Sequence, residues 1–188
     1  MKTTGKTYII SLIAFAVFAV SCKKDDDNPS NPGTGNNQGE IITTLIIQFS
    51  DSAGIQPDAS VAFRDPDGDG GNGPVQFDTV RLASNTTYYA EILLLDETKT
   101  PVDTISNEVL EEAVDHMFFF QHTGSVITTS YNDIDSNGLP VGLSTIWRTG
   151  TVSSGTSQVI LKHQPGSKDG TQGPGETDVD VTFVSEIL

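Results

Sequence analysis

The hydrophobic and polar positions divide the chain into three parts. Residues 8–20 are apolar almost without interruption, residues 23–39 are almost entirely polar, and short mixed runs follow from Glu40 to the end. The clearest of these runs is Thr177 to Val184, where apolar and polar residues alternate with the period of two that is typical of a half-buried strand. The pattern therefore predicts a folded part over residues 40–188.

Nine runs of this kind predict strands, and clusters of Gly, Asn, Asp and Pro separate them. The predicted strands are Ile41 to Phe49, Val61 to Arg64, Val75 to Leu82, Thr86 to Leu95, His116 to Gln121, Ser125 to Tyr131, Leu143 to Arg148, Ser157 to His163 and Thr177 to Val184. Only Thr104 to Val114 favours a short helix. Strands without alternating helices predict an all-β fold, an antiparallel sandwich of the immunoglobulin-like or Greek-key type.

The N-terminal part has the profile of a signal peptide. Lys2 and Lys6 precede the apolar run, whose thirteen residues reach roughly 20 Å as a helix, whereas a hydrocarbon core is about 30 Å thick. Small residues in Ala19-Val20-Ser21 come directly before Cys22, the single cysteine, in the manner of a lipobox. We expect residues 1–21 to be removed and Cys22 to be lipidated. The alternative is an ordinary secretory signal followed by a free thiol.

Residues 22–39 predict a flexible tether, because Pro, Gly, Asn, Ser and Gln follow a charged start. That start, Lys23-Lys24-Asp25-Asp26-Asp27, is similar to the export signal of surface-exposed lipoproteins in the Bacteroidota. The resemblance implies lipid anchoring in the outer membrane at the cell surface, with its periplasmic face as the alternative location.

The net negative charge of the chain limits the classes of partner that it can bind. Without Lys2 and Lys6, 25 acidic residues face 8 basic ones, and a surface this acidic repels nucleic acid and anionic lipid but attracts divalent cations. The 167 residues from Cys22 onward are enough for one domain, whose core must suffice without a disulfide because the only cysteine is assigned to the lipid.

Two loops have the spacing of calcium ligands. Asp65, Asp67 and Asp69 alternate before Gly70, and Asp133, Asp135 and Asn137 alternate before Gly138. Ca²⁺ takes six to eight oxygens, and alternating side chains converge when a glycine turns the backbone. Neither loop has the glutamate that completes an EF-hand, so oxygens from elsewhere and an affinity of roughly 10⁻⁴ to 10⁻³ M are expected. The alternative is a turn in which Asp caps its own backbone.

The histidines offer a second metal hypothesis. His116 and His122 are six residues apart, roughly 20 Å along a strand, so they cannot bind one ion together. His116 could pair with His163, with help from Asp115 or Glu112, to bind a transition metal. The alternative for each histidine is a hydrogen-bonded structural role. No nucleophile elbow, zinc-protease motif or phosphate loop occurs in the sequence, so we expect no enzyme.

Several segments together resemble a group of small Bacteroidota lipoproteins labelled "type 1 periplasmic binding fold superfamily". They are the C-K-K-D-D-D leader, F-R-D-P-D-G-D-G, D-H-M-F-F-F, Y-N-D-I-D-S-N-G-L-P-V-G-L and G-E-T-D-V-D-V-T-F. The label implies solute capture, and the resemblance implies a non-catalytic accessory of outer-membrane uptake with a TonB-dependent receptor or another outer-membrane protein as partner. The alternative function is a structural or adhesive envelope protein stiffened by calcium.

Overall fold

Ten strands and one helix make up the folded part of the computed structural model, which describes residues 40–68 and 71–188. The predictions for the signal peptide, for Cys22, for the tether and for Asp69 lie outside the described residues. The elements are β1 Thr44–Asp51, β2 Ala59–Arg64, β3 Gln76–Phe77, β4 Val80–Leu82, β5 Thr87–Leu95, α1 Ile105–Glu111, β6 His116–Thr123, β7 Ile127–Tyr131, β8 Ser144–Thr149, β9 Ser153–His163 and β10 Glu176–Ile187.

The strands form two sheets. One has six strands in the order β3-β2-β1-β5-β8-β7, and the other has four in the order β4-β10-β9-β6. All pairings are antiparallel except that of β4 with β10. The predicted all-β sandwich is therefore confirmed. Within the described part of the chain, no helix is long and apolar enough to cross a membrane.

Alternating side chains of both sheets fill the space between them. In β10, Val179, Val181 and Phe183 are buried, as the period of two predicts. In the six-stranded sheet, Trp147 is completely buried and packs edge-on against Phe49 at 5.2 Å between ring centroids. Burial of this kind removes apolar area from water at about 25 cal/mol per Å², which explains how the fold forms without a disulfide.

The prediction of a single strand over Val75 to Leu82 is wrong. The run is divided into β3 and β4, which belong to different sheets. Asp78 lies between them, where its Oδ2 accepts a hydrogen bond from the Ala62 backbone N–H at 2.9 Å. The carboxylate thus takes the place of a backbone acceptor where the pairing with β2 ends, and Val80 and Leu82 then pair with the end of β10.

Helix α1 is shorter than the predicted Thr104 to Val114, and it leads directly into β6. It ends at Glu111, and the next residues form a turn in which the Asp115 N–H donates to the Glu112 carbonyl at 2.9 Å. Ile105 and Val109 are the buried residues of the helix, which packs next to β5. This short connection places Glu112 close to the first residue of β6.

Candidate metal centre

Two histidines meet where β6 begins and β9 ends. His116 and His163 are directly opposite each other in the antiparallel register of these strands. Their rings are stacked, with centroids 4.5 Å apart and planes 6° from parallel. They lie next to the paired residues Phe118 and Leu161 on the core face of the four-stranded sheet. The predicted pairing of His116 with His163 is thus present in the fold.

Glu112 supplies a third donor. One carboxylate oxygen of Glu112 and one ring nitrogen of each histidine all lie within 4.8 Å of one another. No other group of three His, Cys, Asp or Glu side chains in residues 40–68 and 71–188 comes this close. Of the two helpers suggested by the sequence, the structure selects Glu112, because the Asp115 carboxylate accepts a hydrogen bond from the Gly166 N–H instead.

The environment of His116 keeps one ring nitrogen available as a donor to a metal. Its Nδ1 lies 3.2 Å from the Glu112 carbonyl oxygen, which can only accept, so Nδ1 carries the proton and Nε2 carries the lone pair. Metal-binding histidines commonly have this support from a carbonyl group. Burial lowers the pKa of His116, against the opposing effect of the hydrogen bond to Glu112, so the ring is neutral at pH 7.

Further carboxylates surround this group. Burial, followed by the nearby charges of Glu108, Asp178 and Glu112, raises the pKa of Glu40 to about 7. Burial also raises the pKa of Asp178, which lies at an irregularity in the pairing of β10 with β9. Glu40 Oε2 and Asp178 Oδ2 are buried without a hydrogen-bond partner among the described residues. Such groups create a negative potential that attracts cations.

The nearby lysines donate no hydrogen bond to these carboxylates, although the charges of His163 and Lys162 partly oppose the effect of burial on the pKa of Asp178. Lys162 Nζ donates to the Gly175 carbonyl at 2.9 Å and to Thr177 Oγ1 at 3.1 Å. Lys168 Nζ donates to the Ala113 carbonyl and to Asp135 of the second Asp loop. The ammonium groups are therefore held by other oxygens, and the two orphan oxygens keep their need for a cation or a proton.

Imidazole and carboxylate donors together suit Zn²⁺, Cu²⁺ and Ni²⁺. A tetrahedral Zn²⁺ with ligands at about 2.0 to 2.2 Å needs donor atoms about 3.3 Å apart, so the three side chains must contract and the stacked rings must splay. Side-chain rotation of Glu112, which is exposed, and of His163, which is half-buried, provides that movement. Three protein ligands would leave one coordination position for water or a solute.

The third histidine has a structural role. His122 Nδ1 hydrogen-bonds with Ser157 Oγ and its Nε2 with Thr129 Oγ1, each at 2.8 Å. Its ring packs edge-on against Trp147, and burial lowers its pKa to about 4. Both nitrogens are occupied, so His122 differs from His116 in lacking a free donor.

The first Asp loop forms a well-bonded turn. Asp67 Oδ2 accepts hydrogen bonds from the backbone N–H and the side-chain amide of Asn72, both at 2.8 Å. These bonds, together with one to the Asp65 side chain, lower the pKa of Asp67. Gly68 has a φ of +74°, which allows the tight turn. Because Asp69 lies outside the described residues, calcium at this loop stays a prediction.

The second loop balances its charge internally. Asp133 accepts hydrogen bonds from the backbone N–H groups of Gly142 at 2.7 Å and Ser144 at 2.9 Å. Asp135 Oδ1 accepts from the N–H of Asn137 and of Leu139, at 2.8 and 2.9 Å. Its Oδ2 lies 2.8 Å from Lys168 Nζ, and both side chains are almost fully buried.

This arrangement differs from the expectation that Asp133, Asp135 and Asn137 converge on one calcium ion. The two carboxylates bind different parts of the backbone, and the Lys168 ammonium lies where Asp135 would otherwise need a cation. Although burial opposes the ionised form, the hydrogen bonds from Lys168, Leu139 and Asn137 lower the pKa of Asp135. Calcium at this loop therefore has no support in the geometry.

Sequence reasoning missed Glu40, Asp178 and Lys168. Glu40 was only the boundary of the folded part, and strict alternation in β10 would direct Asp178 to solvent. Lys168 belongs to a glycine-rich segment without any local motif. A signal for Asp178 is absent from the sequence, because the irregularity between Thr177 and Val179 arises from pairing with β9.

Comparisons with protein-family models, with curated proteins and with solved structures find no match to this chain. The lipoprotein resemblance therefore remains an expectation.

Proposed function

We propose that this chain is a non-catalytic lipoprotein of the outer membrane whose β-sandwich binds a divalent transition-metal ion, with Zn²⁺ as the first candidate. The observation that carries the proposal is the convergence of Glu112, His116 and His163 within 4.8 Å. The neutral, carbonyl-supported imidazole of His116 supports it, because metal binding needs a lone pair on the ring. The acidic surroundings add a favourable potential for a cation.

In this proposal the protein captures the ion for an outer-membrane partner, such as a TonB-dependent receptor. The vacant coordination position expected with three protein ligands would allow transfer of the ion by ligand exchange. Glu112 is exposed, so a ligand from the partner can replace it at the ion first. The buried His116 would dissociate from the ion afterwards. A site closed by four buried ligands would instead favour a structural role.

Zinc titration of the full-length chain, purified in a non-ionic detergent and stripped of metal with a chelator, tests the site. We expect a 1:1 calorimetric signal and a rise in melting temperature, equivalent to about 2.7 kcal/mol at a hundredfold excess over the dissociation constant. His163→Gln and Glu112→Gln should weaken zinc binding by tenfold or more. His122→Gln is the matched control, because both ring nitrogens of His122 are already hydrogen-bonded, and it should bind zinc like the unchanged protein.

A zinc response of undiminished size in both His163→Gln and Glu112→Gln would move the ion away from this group and contradict the proposal. Equal weakening by His122→Gln would point to general loss of structure. Comparing unfolding without metal for all three variants separates these cases, because a variant that only loses the ligand melts normally when metal is absent.

The anchor has its own test. Cys22→Ala should release the protein from the membrane fraction or leave an unprocessed precursor, because acyl chains contribute about 0.8 kcal/mol of membrane affinity per buried CH₂. Fractionation of cells with the unchanged chain and with the variant provides the measurement.

Protease added to intact cells should remove the folded part if it is at the cell surface. Protection until lysis would instead indicate the periplasmic face.

A structural or adhesive envelope protein stiffened by calcium is the second candidate function. The proximity of the Asp65 and Asp67 side chains in the first loop favours it. Such a protein should gain stability from calcium and show no saturable response to zinc. The zinc titration therefore discriminates between the two functions.

A further inference from the structure

The sandwich is open along part of one edge. Strand β4 pairs with β10 only from Ser185 to Ile187, so the earlier part of β10 has no described strand on that side. Opposite this gap are the start of β1 and the end of β2. Phe77 of β3 limits the gap at one end, where it packs edge-on against Phe63 and Phe183 with centroids 5.3 and 5.6 Å away. The sheets therefore leave a cleft between β10 and the β1–β2 pair.

The cleft has a volume of about 390 Å³ and an apolar floor. The floor includes Leu45 and Phe63 from the six-stranded sheet and Val179 and Val181 from β10. Pockets for small molecules typically measure 300 to 1,000 Å³ and combine apolar walls with a few polar groups. The volume therefore suits a ligand with an apolar body.

The charged groups that line the cleft are all acidic. Asp65 faces it from the turn after β2, and Asp178 and Asp180 belong to β10, while no lysine or arginine lines it. Asp180 Oδ1 accepts a hydrogen bond from the Gln158 side-chain amide at 2.7 Å. Asp178 has no such partner for Oδ2, which is buried. The charge of Asp178 is thus the one that a ligand would have to compensate.

We propose that this cleft binds a small organic cation, a primary ammonium group on an apolar body. An anion would meet three carboxylates, and a bare metal ion would gain nothing from the apolar floor. An alkylammonium ion satisfies both features, because its charge can lie between Asp65 and Asp178 while its hydrocarbon part covers Phe63 and Val181. The site goes beyond the proposed metal function and uses none of its three ligands, Glu112, His116 and His163, although Asp178 lies near both sites.

Isothermal titration with n-hexylammonium tests the proposal, with 1-hexanol and hexanoate as matched neutral and anionic probes. The full-length chain is used in detergent, at low ionic strength because salt screens the exposed carboxylates. A chelator is present throughout these titrations, so that no zinc ion at the metal centre can bind the carboxylate of hexanoate. We expect hexylammonium to bind in a 1:1 ratio, at least tenfold more tightly than hexanol, and hexanoate not to bind.

Asp178→Asn should weaken hexylammonium binding about tenfold and leave hexanol binding unchanged. The substitution has the same shape and removes a buried unpaired charge, so the variant should fold. Asp65→Asn gives an independent second variant, with the same expected loss. Asp58→Asn is the matched control, because Asp58 is an exposed aspartate that does not line this cleft, and the same charge is lost without an effect on binding.

Equal affinity for hexanol and hexylammonium would overturn the proposal, as would unchanged hexylammonium binding in both Asp178→Asn and Asp65→Asn. Binding of Ca²⁺ without binding of hexylammonium would assign the acidic rim to calcium and also overturn it. Repeating the titration with His163→Gln keeps the two functions separate, because failure of the metal centre would leave hexylammonium binding intact.

Discussion

The second Asp loop and the histidine cluster contain similar groups in opposite electrostatic states. In the loop, the buried Asp135 carboxylate is neutralised by Lys168 and by backbone N–H groups. In the cluster, Glu40 and Asp178 each keep a buried oxygen without a hydrogen-bond partner among the described residues. The nearby Lys162 donates its protons to Gly175 and Thr177 instead. The first region balances its charge internally, whereas the second retains buried oxygens that a proton or a cation could satisfy.

This difference shows that a metal-like motif and a metal-like environment are separate properties. The loop has the spacing of calcium ligands in the sequence, yet in the fold its buried carboxylate pairs with the ammonium group of Lys168. The cluster has no spacing motif, because its members come from the turn after α1, the start of β6, the end of β9 and the starts of the described chain and of β10. Ligand spacing along the chain is therefore not sufficient to locate buried charge that lacks a counter-ion.

The largest effect is expected when the internal cation of the loop is removed. Lys168→Met keeps the hydrocarbon stem but leaves Asp135 buried without its counter-ion, and we expect a loss of about 3 to 5 kcal/mol in the free energy of unfolding. Denaturant unfolding at pH 7 measures it. Asp135→Asn combined with Lys168→Met should recover much of the loss, because no uncompensated charge remains.

Arg81→Met is the matched control for this change. Arg81 forms an ion pair with Glu186 at 2.8 Å, but the two side chains are 56% and 39% exposed. Exposed pairs contribute about 0 to 1 kcal/mol, so the control should cost little. If Lys168→Met were as harmless as Arg81→Met, the contrast between the loop and the cluster would lose its energetic basis.

A calcium titration tests whether the first Asp loop binds a divalent cation or, like the second loop, satisfies its carboxylates without one. Calcium at about 10 mM should raise the melting temperature by roughly 3 to 6 °C if the dissociation constant is near 1 mM, with a smaller effect of Mg²⁺. Asp67→Asn should blunt the rise. Asp169→Asn is a close control, because Asp169 also accepts hydrogen bonds from a backbone N–H and a side chain, both of Thr171. No rise in the unchanged protein would leave the plain turn as the explanation of the first loop.

The smallest effect concerns Glu40 in metal-free protein. Its pKa is about 7 in the folded state against 4.5 as the ordinary value, so the native state binds more protons between these pH values and loses stability as the pH rises through them. Glu40→Gln should therefore melt like the unchanged protein at pH 4 and roughly 2 to 4 °C higher at pH 8. Thermal melts over this pH range, with a chelator present, measure the difference.

Saturating zinc sharpens this test, because an ion at Glu112, His116 and His163 would offset the repulsion that Glu40 experiences. The advantage of Glu40→Gln at pH 8 should then shrink. An advantage of equal size at pH 4 and pH 8 would show that the charge of Glu40 has no part in it.

The sandwich was predictable because its signals are local. Alternation in β10 follows from the period of two in a strand, and the polar turns mark where strands end. The division of Val75 to Leu82 was not predictable, because the hydrogen bond from Ala62 to Asp78 joins residues 16 positions apart. The pairing of His116 with His163 could be suggested from strand faces, whereas the choice of Glu112 over Asp115 depended on the turn after α1.

The sequence by itself determined the all-β class, the buried face of β10 and the approximate position of the short helix, because these depend on neighbouring residues and on the separation of apolar from polar groups. The tertiary structure decided which charged groups are neutralised. Lys168 donates to Asp135, which is 33 positions away in the chain. The charge of Asp178 acts on Glu40 because the folded sheets bring the two residues close together. Electrostatic balance depends on distance and burial in space, so spacing along the chain could not reveal it.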